Sequence, residues 1–300
     1  MIDIHTHLAY KDFFSEQFIQ GIAENTYDQM DADKRGNISK DYLVKIVRNN
    51  LLDVDGTKMI SQMDAAGIEK SVLLIVDFFY KIEDIAFLEE IHKKHYEIAQ
   101  KWNGRFEVFS GIDPRRGKKG LDLFEKSIRE YNVKGLKLYP PCGFELDDTI
   151  LYPYYEICEE YNIPVLAHIG PSVKFMRLES NFPNSVFNVA KKYPKVNFIL
   201  GHAGILFYEE GIDLCKECSN VFVDVSGFQL VANDVKMVQS KLLNYFNYAP
   251  NQILFGTDWP MFSLSGMQKK WIQYFESMTK ISEQNLELFF NKNSLSLLDN

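Results

Sequence analysis

Residues 1–10 read MIDIHTHLAY. Asp3, His5 and His7 alternate with apolar Ile2 and Ile4, which is the period of a β-strand, so the segment is expected to be a buried strand whose three polar side chains face the same way. A polar stripe on a buried strand needs partners, and they must come from elsewhere in the chain.

Further along, short runs rich in Val, Ile, Leu and Phe recur, each followed by a helix-length segment. They are SVLLIVDF from 71, RFEVFSGID from 105, NVKGLKLYP from 132, NIPVLAHIG from 162, KVNFILGHAG from 195, NVFVDVSGF from 220 and NQILFGTDW from 251, which with the opening strand makes eight. Eight parallel strands with crossover helices close into a (β/α)8 TIM barrel of the α/β class, read here as a single domain over residues 1–300. A doubly wound open sheet would offer a glycine-rich turn after the first strand, and none is present.

The spacing breaks once. GTKMISQMDAAGI (56–68) reads as the first barrel helix, stopped by Gly67, which leaves residues 9–55 as an insertion after strand 1. Such a loop lies over the catalytic mouth of a barrel and is long enough to be lid-like. Within it, DADKRGNISKDY (31–42) opens like a calcium loop with Asp31, Asp33 and Gly36. Arg35 stands at its fifth position and Tyr42 where a bidentate Glu is required, so it reads as a polar turn and helix start.

The composition, 46% hydrophobic and 25% charged, is that of a globular chain able to bury a large core. A net charge of -8 with dispersed Lys and Arg gives no footprint for nucleic acid. No apolar run is long enough for a membrane span, and the first strand starts at once, leaving no room for a leader, so a cytoplasmic protein acting on a small molecule is expected. Four cysteines do not make a disulfide framework; Cys215 and Cys218 form a C-x-x-C without the second ligand pair of a zinc site and are read as a chance spacing.

The partners of the opening stripe sit at other strand ends: His168 ends strand five, His202 strand six and Asp258 strand eight. Of six histidines, only His92 and His95 lie elsewhere, on the helix after strand two. A barrel gathers its C-terminal strand ends around one mouth, so these residues converge there. His5 and His7 can share one ion, with His168 adding a nitrogen and Asp258 an oxygen, which suits zinc or a similar transition metal with one position open to water. Asp3 lies deeper and reads as a carboxylate orienting a ligand histidine, or as part of a second metal site. Lys137 could be carboxylated and bridge two metals, pair with an acid or substrate, or be a structural charge.

In this order DIHTH, MDAAGI, KGLKLYP, IPVLAHIG, FILGHAG and ILFGTDWP resemble the amidohydrolase superfamily, in its amidohydrolase-related (amidohydrolase 2) branch with the aminocarboxymuconate-semialdehyde decarboxylase-like enzymes. The resemblance implies that His5, His7, His168 and Asp258 are metal ligands and His202 the strand-six active-site histidine. It also implies one or two divalent ions, one rather than two, with zinc expected first and manganese second, and a homo-oligomer. Lys137 matches a strand-four lysine that is carboxylated in more distant members.

The expected activity is a metal-dependent hydrolase: a metal-activated water attacks an amide, lactone or ester, Asp258 moves its proton and His202 polarises the carbonyl. The alternative is a non-oxidative decarboxylase of a small aromatic or unsaturated acid, with Asp258 or His202 protonating the carbon. A binding protein with a structural metal is disfavoured, because such sites are closed by four protein ligands. Tyr139, Trp259 and Phe262 are candidates for lining the substrate pocket. Arg177 or Lys174, after strand five, are candidates for holding a substrate carboxylate, or belong to a solvated loop.

Overall fold

The computed structural model describes residues 1–10, 13–30, 35, 38–78, 84–176 and 180–299. Its strands are β1 (Ile2–Thr6), β2 (Lys70–Leu74), β3 (Phe106–Gly111), β4 (Gly135–Leu138), β5 (Val165–His168), β6 (Phe198–Gly201), β7 (Val221–Asp224) and β8 (Ile253–Leu254). Each pairs in parallel with the next in sequence order. Three backbone bonds join the last strand to the first: Ile4 N to Phe255 O at 3.0 Å, Asp258 N to His5 O at 2.8 Å and His7 N to Trp259 O at 2.7 Å. The expected (β/α)8 barrel is thus present.

Strands buried on both faces explain the near-continuous apolar runs in the sequence. Ile2, Ile4, Val72, Leu74, Phe109, Leu166, Ile199 and Leu254 fill the inside of the barrel, with Leu297 and Leu298 packed against them. Leu73, Leu136, Val165, Leu200 and Val223 face the other way and join the helices in the larger core. Each such aliphatic side chain contributes about 1.5–3 kcal/mol by leaving water. The inner cluster is the floor on which the polar strand ends rest.

One expectation fails here. Asp3 does not share the facing of His5, because the β1–β2 register shifts between Asp3 and Thr6. Such a bulge re-aims the residues that follow it. Ile2 and Ile4 point inside, while the Asp3 carboxylate accepts from Thr257 and from Gln268 of the helix Gln268–Glu276.

Among the described parts of the insertion are the helices α1 (Glu16–Gln29) and α2 (Lys40–Leu51), ahead of α3 (Thr57–Ala66). Ser15 caps α1 by accepting from Phe18 N, and Ser39 caps α2 by accepting from Tyr42 N. The helix start read from the calcium-like stretch is therefore present; Asp31, Asp33 and Gly36 lie outside the described residues. Helix α3 stops at Gly67, whose φ of 72° favours glycine, as the sequence predicts. Cys215 and Cys218 are free, buried thiols at the end of the helix Tyr208–Glu217. Among the described residues, no helix is long and apolar enough to cross a membrane.

Helix α4 (Ile85–Lys101) buries His92 and His95, each donating from Nδ1 to the carbonyl four residues back, at 2.8 and 2.9 Å. Burial holds His92 down to about 4 and His95 down to about 3. The unfolded chain takes up these protons from about pH 6.5 downward and the folded one does not, so stability is full above pH 6.5 and falls as pH drops toward 4. His92 alone accounts for about 3 kcal/mol over that interval. Denaturant midpoints at pH 7 and pH 4.5 check this: His95→Leu should lose less between them than the parent protein, and an equal loss counts against it.

Candidate active site

The C-terminal strand ends bring the polar groups together as the barrel requires. His5 donates from Nδ1 to Asp224 Oδ2 at 2.7 Å, and His7 donates from Nδ1 to the Leu74 carbonyl at 2.9 Å. Since a carbonyl only accepts, the second bond fixes the His7 tautomer. The Nε2 lone pairs of both rings then point at Asp258 Oδ1, 3.7 Å from His5 and 3.2 Å from His7. Acceptors facing each other at that range call for a proton or a cation between them. Ligand atoms of His5, His7 and Asp258 all lie within 4.8 Å of one another, which fits a divalent ion bound at about 2.0–2.2 Å from each.

His168 does not join that trio; its Nδ1 lies 3.0 Å from His202 Nε2. His202 Nδ1 faces the Ser226 carbonyl at 3.2 Å and the Ser226 hydroxyl at 2.9 Å. Its Nδ1 therefore carries the hydrogen, Nε2 accepts from His168, and His168 is left with a lone pair on Nε2. That atom is buried without a partner, so a cation or a donor would satisfy it.

His5, His202 and Asp224 form a second cluster of the same size. The Ser226 hydroxyl sits among them, 3.1 Å from His5 Nδ1 and bonded to Asp224 Oδ1. This second cluster is thus a hydrogen-bonded hub. Asp224 and Ser226 are absent from the candidates read in the sequence, although VDVSG at the end of β7 carries the same signal as the others, polar residues closing an apolar strand.

Burial holds the His5 and His168 imidazoles well below, and the His202 imidazole below, the usual value. Burial pushes Asp258 up, but the facing His7 ring and the neighbouring histidines outweigh it and keep the carboxyl below its usual range. Lys137 is buried, with Nζ 3.5 Å from His5 Nε2; burial brings it down to about 8 against the pull of Asp258 and Asp224. Asp3 accepts from the amides of His5 (3.3 Å) and Thr257 (3.0 Å), Thr257 Oγ1 (2.6 Å) and Gln268 Nε2 (3.0 Å), while burial pushes it up to about 7. It orients His5 through the backbone, not through the ring.

His202 (φ 72°) and Asp258 (φ 53°) adopt the left-handed region, which costs a non-glycine residue about 1–2 kcal/mol. Two bonds hold them there, His202 N to Asp224 Oδ1 at 3.0 Å and Asp258 N to His5 O at 2.8 Å. Strain of this kind, held by the surrounding structure, is typical of functional strand ends.

A cavity of about 410 Å³ opens over these groups. His168, His202 and Asp258 line it together with Tyr139 and Phe262, and α1 supplies another wall. Tyr139 packs 4.5 Å from the His168 ring and its hydroxyl lies 2.5 Å from Ser172 Oγ. Trp259 does not line this cavity: its backbone pairs with Thr6 in closing the barrel, and that fixes its ring beside Lys58 of α3. Lys174 pairs with Asp28 at the surface, and Arg177 lies outside the described residues. Among the described residues, no Lys or Arg lines the cavity.

A TIM barrel with a His-x-His first strand and a carboxylate closing its last strand defines the class of protein, a barrel built to hold a reactive centre at its mouth. The chain belongs to the amidohydrolase family, which it matches over residues 2–299, and is an enzyme of that superfamily. No curated protein matches the sequence.

Several solved structures share the fold. One is 5-carboxyvanillate decarboxylase of Novosphingobium aromaticivorans, complexed with manganese and 4-hydroxy-3-methoxy-5-nitrobenzoic acid (TM-score 0.69, 17% identity, covering 100% of this chain and 96% of that one). Another is 2,6-dihydroxybenzoate decarboxylase from Rhizobium (TM-score 0.68, 17% identity, 99% and 98%). A third is a dihydroxybenzoic acid decarboxylase of a Polaromonas species with manganese and 2-nitroresorcinol (TM-score 0.65, 17% identity, 99% and 96%).

Proposed function

We propose that the protein is a metal-dependent, non-oxidative decarboxylase of a small aromatic or unsaturated carboxylic acid. The observation that carries this reading is the cavity itself: no cationic side chain among its described lining, and a cluster of cation-seeking acceptors at its floor. With a divalent ion held by those acceptors, the anionic head of an entering acid would be drawn to the floor and its ring left against Tyr139 and Phe262. The likeness to three structures named as decarboxylases supports this over hydrolysis.

His5, His7 and Asp258 would hold the ion, with the His168 Nε2 lone pair beside them. When bound, a divalent ion supplies positive charge that stabilises the electron pair left as the carboxylate departs. A set of imidazoles with one carboxylate suits zinc and manganese alike. The bond between the ring carbon and the carboxylate breaks, carbon dioxide leaves, and the carbon takes a proton. Asp258, ionised in the free protein, would pass that proton from cavity water to the carbon, and the hydroxide left combines with the released carbon dioxide as bicarbonate. His202, donating from Nδ1 to Ser226, keeps the neighbouring His168 ring in place. The aromatic walls exclude bulk water from the carbon.

A panel of hydroxybenzoic and unsaturated acids, run with lactones and amides, tests the reading. Carbon dioxide release is expected, with one deuterium on the product carbon in heavy water. Activity should vanish with a chelator and return with manganese or zinc. Hydrolysis of a lactone or amide with no acid decarboxylated would overturn it.

A further inference from the structure

Gly21 stands in the middle of α1, where glycine costs about 1 kcal/mol relative to alanine. Its need is steric: a Cβ there would lie 2.6 Å from Val173 Cβ and 2.7 Å from Val173 Cγ1. Val173 is on the loop that leaves β5 just after His168. Two further contacts join the same segments, Asn25 Nδ2 donating to the Ser172 carbonyl at 3.3 Å and Lys174 Nζ donating to Asp28 Oδ2 at 2.5 Å. Positions 21, 25 and 28 fall on one helix face, and they meet the consecutive residues 172–174. Ile22, Asn25 and Thr26 of the same helix line the cavity, as do Ser172 and Val173.

We propose that Gly21 is a specificity-determining residue: by letting α1 seat directly on Val173 it fixes the width of the cavity above His168, so that single-ring acids are taken in preference to fused two-ring acids. Helix α1 is then a seated wall of the site and not a hinged cover. The proposal rests on the decarboxylase reading for the chemical class of the acid, while the wall itself rests on the contacts alone. A methyl group at position 21 forces the helix and loop apart, and the space gained lies over the substrate ring.

The experiment uses the manganese-loaded full chain and two probes, 2-nitroresorcinol with one ring and 1-nitro-2-naphthol with two, their Kd values measured by calorimetry. The parent protein should favour the one-ring probe. Gly21→Ala should shift the ratio of Kd values at least about tenfold toward the two-ring probe, the scale of adding a methylene's width to a pocket. It should also speed amide exchange across residues 16–28, with metal content unchanged. Val173→Gly, which takes the facing side chain off the loop and lets α1 seat closer, should shift the ratio toward the one-ring probe and serves as the test should the alanine variant fail to fold, and Gly21→Ala with Val173→Gly should bring the ratio back toward the parent. A folded Gly21→Ala or Val173→Gly protein with an unchanged ratio overturns the proposal, as does a parent protein that does not favour the one-ring probe. If the probes behave as expected but neither 2,6-dihydroxybenzoate nor 1-hydroxy-2-naphthoate loses carbon dioxide, the reaction falls and the wall stands.

Discussion

His7→Ala should lower kcat by about a thousandfold or more, and the purified variant should contain little metal, because one of three facing acceptors is gone and the ion's charge goes with it. The barrel should still fold. His7 contributes its ring to a single bond with Leu74 O, and its backbone amide, which closes β8 onto β1, is untouched. Metal analysis and circular dichroism on the same preparation check both halves. A variant with a full complement of ion and parental turnover would remove the trio of His5, His7 and Asp258 as the ion's seat.

Asp224→Asn comes next in size and separates orientation from ligation. Asp224 is not among the proposed ligands, yet it accepts from His5 Nδ1 and from the His202 amide. An amide nitrogen placed against His5 Nδ1 would drive the ring to the other tautomer, putting a hydrogen on Nε2 where a lone pair is needed. Loss of such an orienting carboxylate typically costs about 10–100-fold in metal affinity. The expected result is that loss in a competition titration with a fluorescent chelator, together with a shift of the His5 ring nitrogens in the NMR spectrum of the metal-free protein. Unchanged affinity would mean that the side chain is held by packing alone, since a Cβ at Gly201 would approach the His5 ring at Cε1 to 2.8 Å and one at Gly256 would approach His5 Cβ to 2.9 Å.

Much of this architecture was legible beforehand because barrel strands advertise themselves: apolar on both faces, they form runs that no helix interrupts, and their C-terminal ends carry the odd polar residue. His5, His7, His168, His202 and Asp258 were all readable by that rule. Strict alternation misplaces Asp3 because it assumes an unbroken strand, and a one-residue register shift is invisible to a periodicity of two. Trp259 falls outside the cavity lining because proximity to a strand end does not fix which side a ring faces. The strand-end rule puts His168 at the mouth, but no spacing rule places it beside His202 and outside the trio. Gly21 gave no signal at all: a glycine inside a helical pattern only lowers the score of the helix, and its reason lies about 150 residues away in Val173.

Leu297 and Leu298, packed under Ile2 and Ile4, act as a stopper in the end of the cylinder opposite the reacting groups. The apolar interior below the buried histidines therefore leaves their electric fields little screened from that side. Shortening the final helix would admit water at that end and weaken those fields without altering a single group at the mouth.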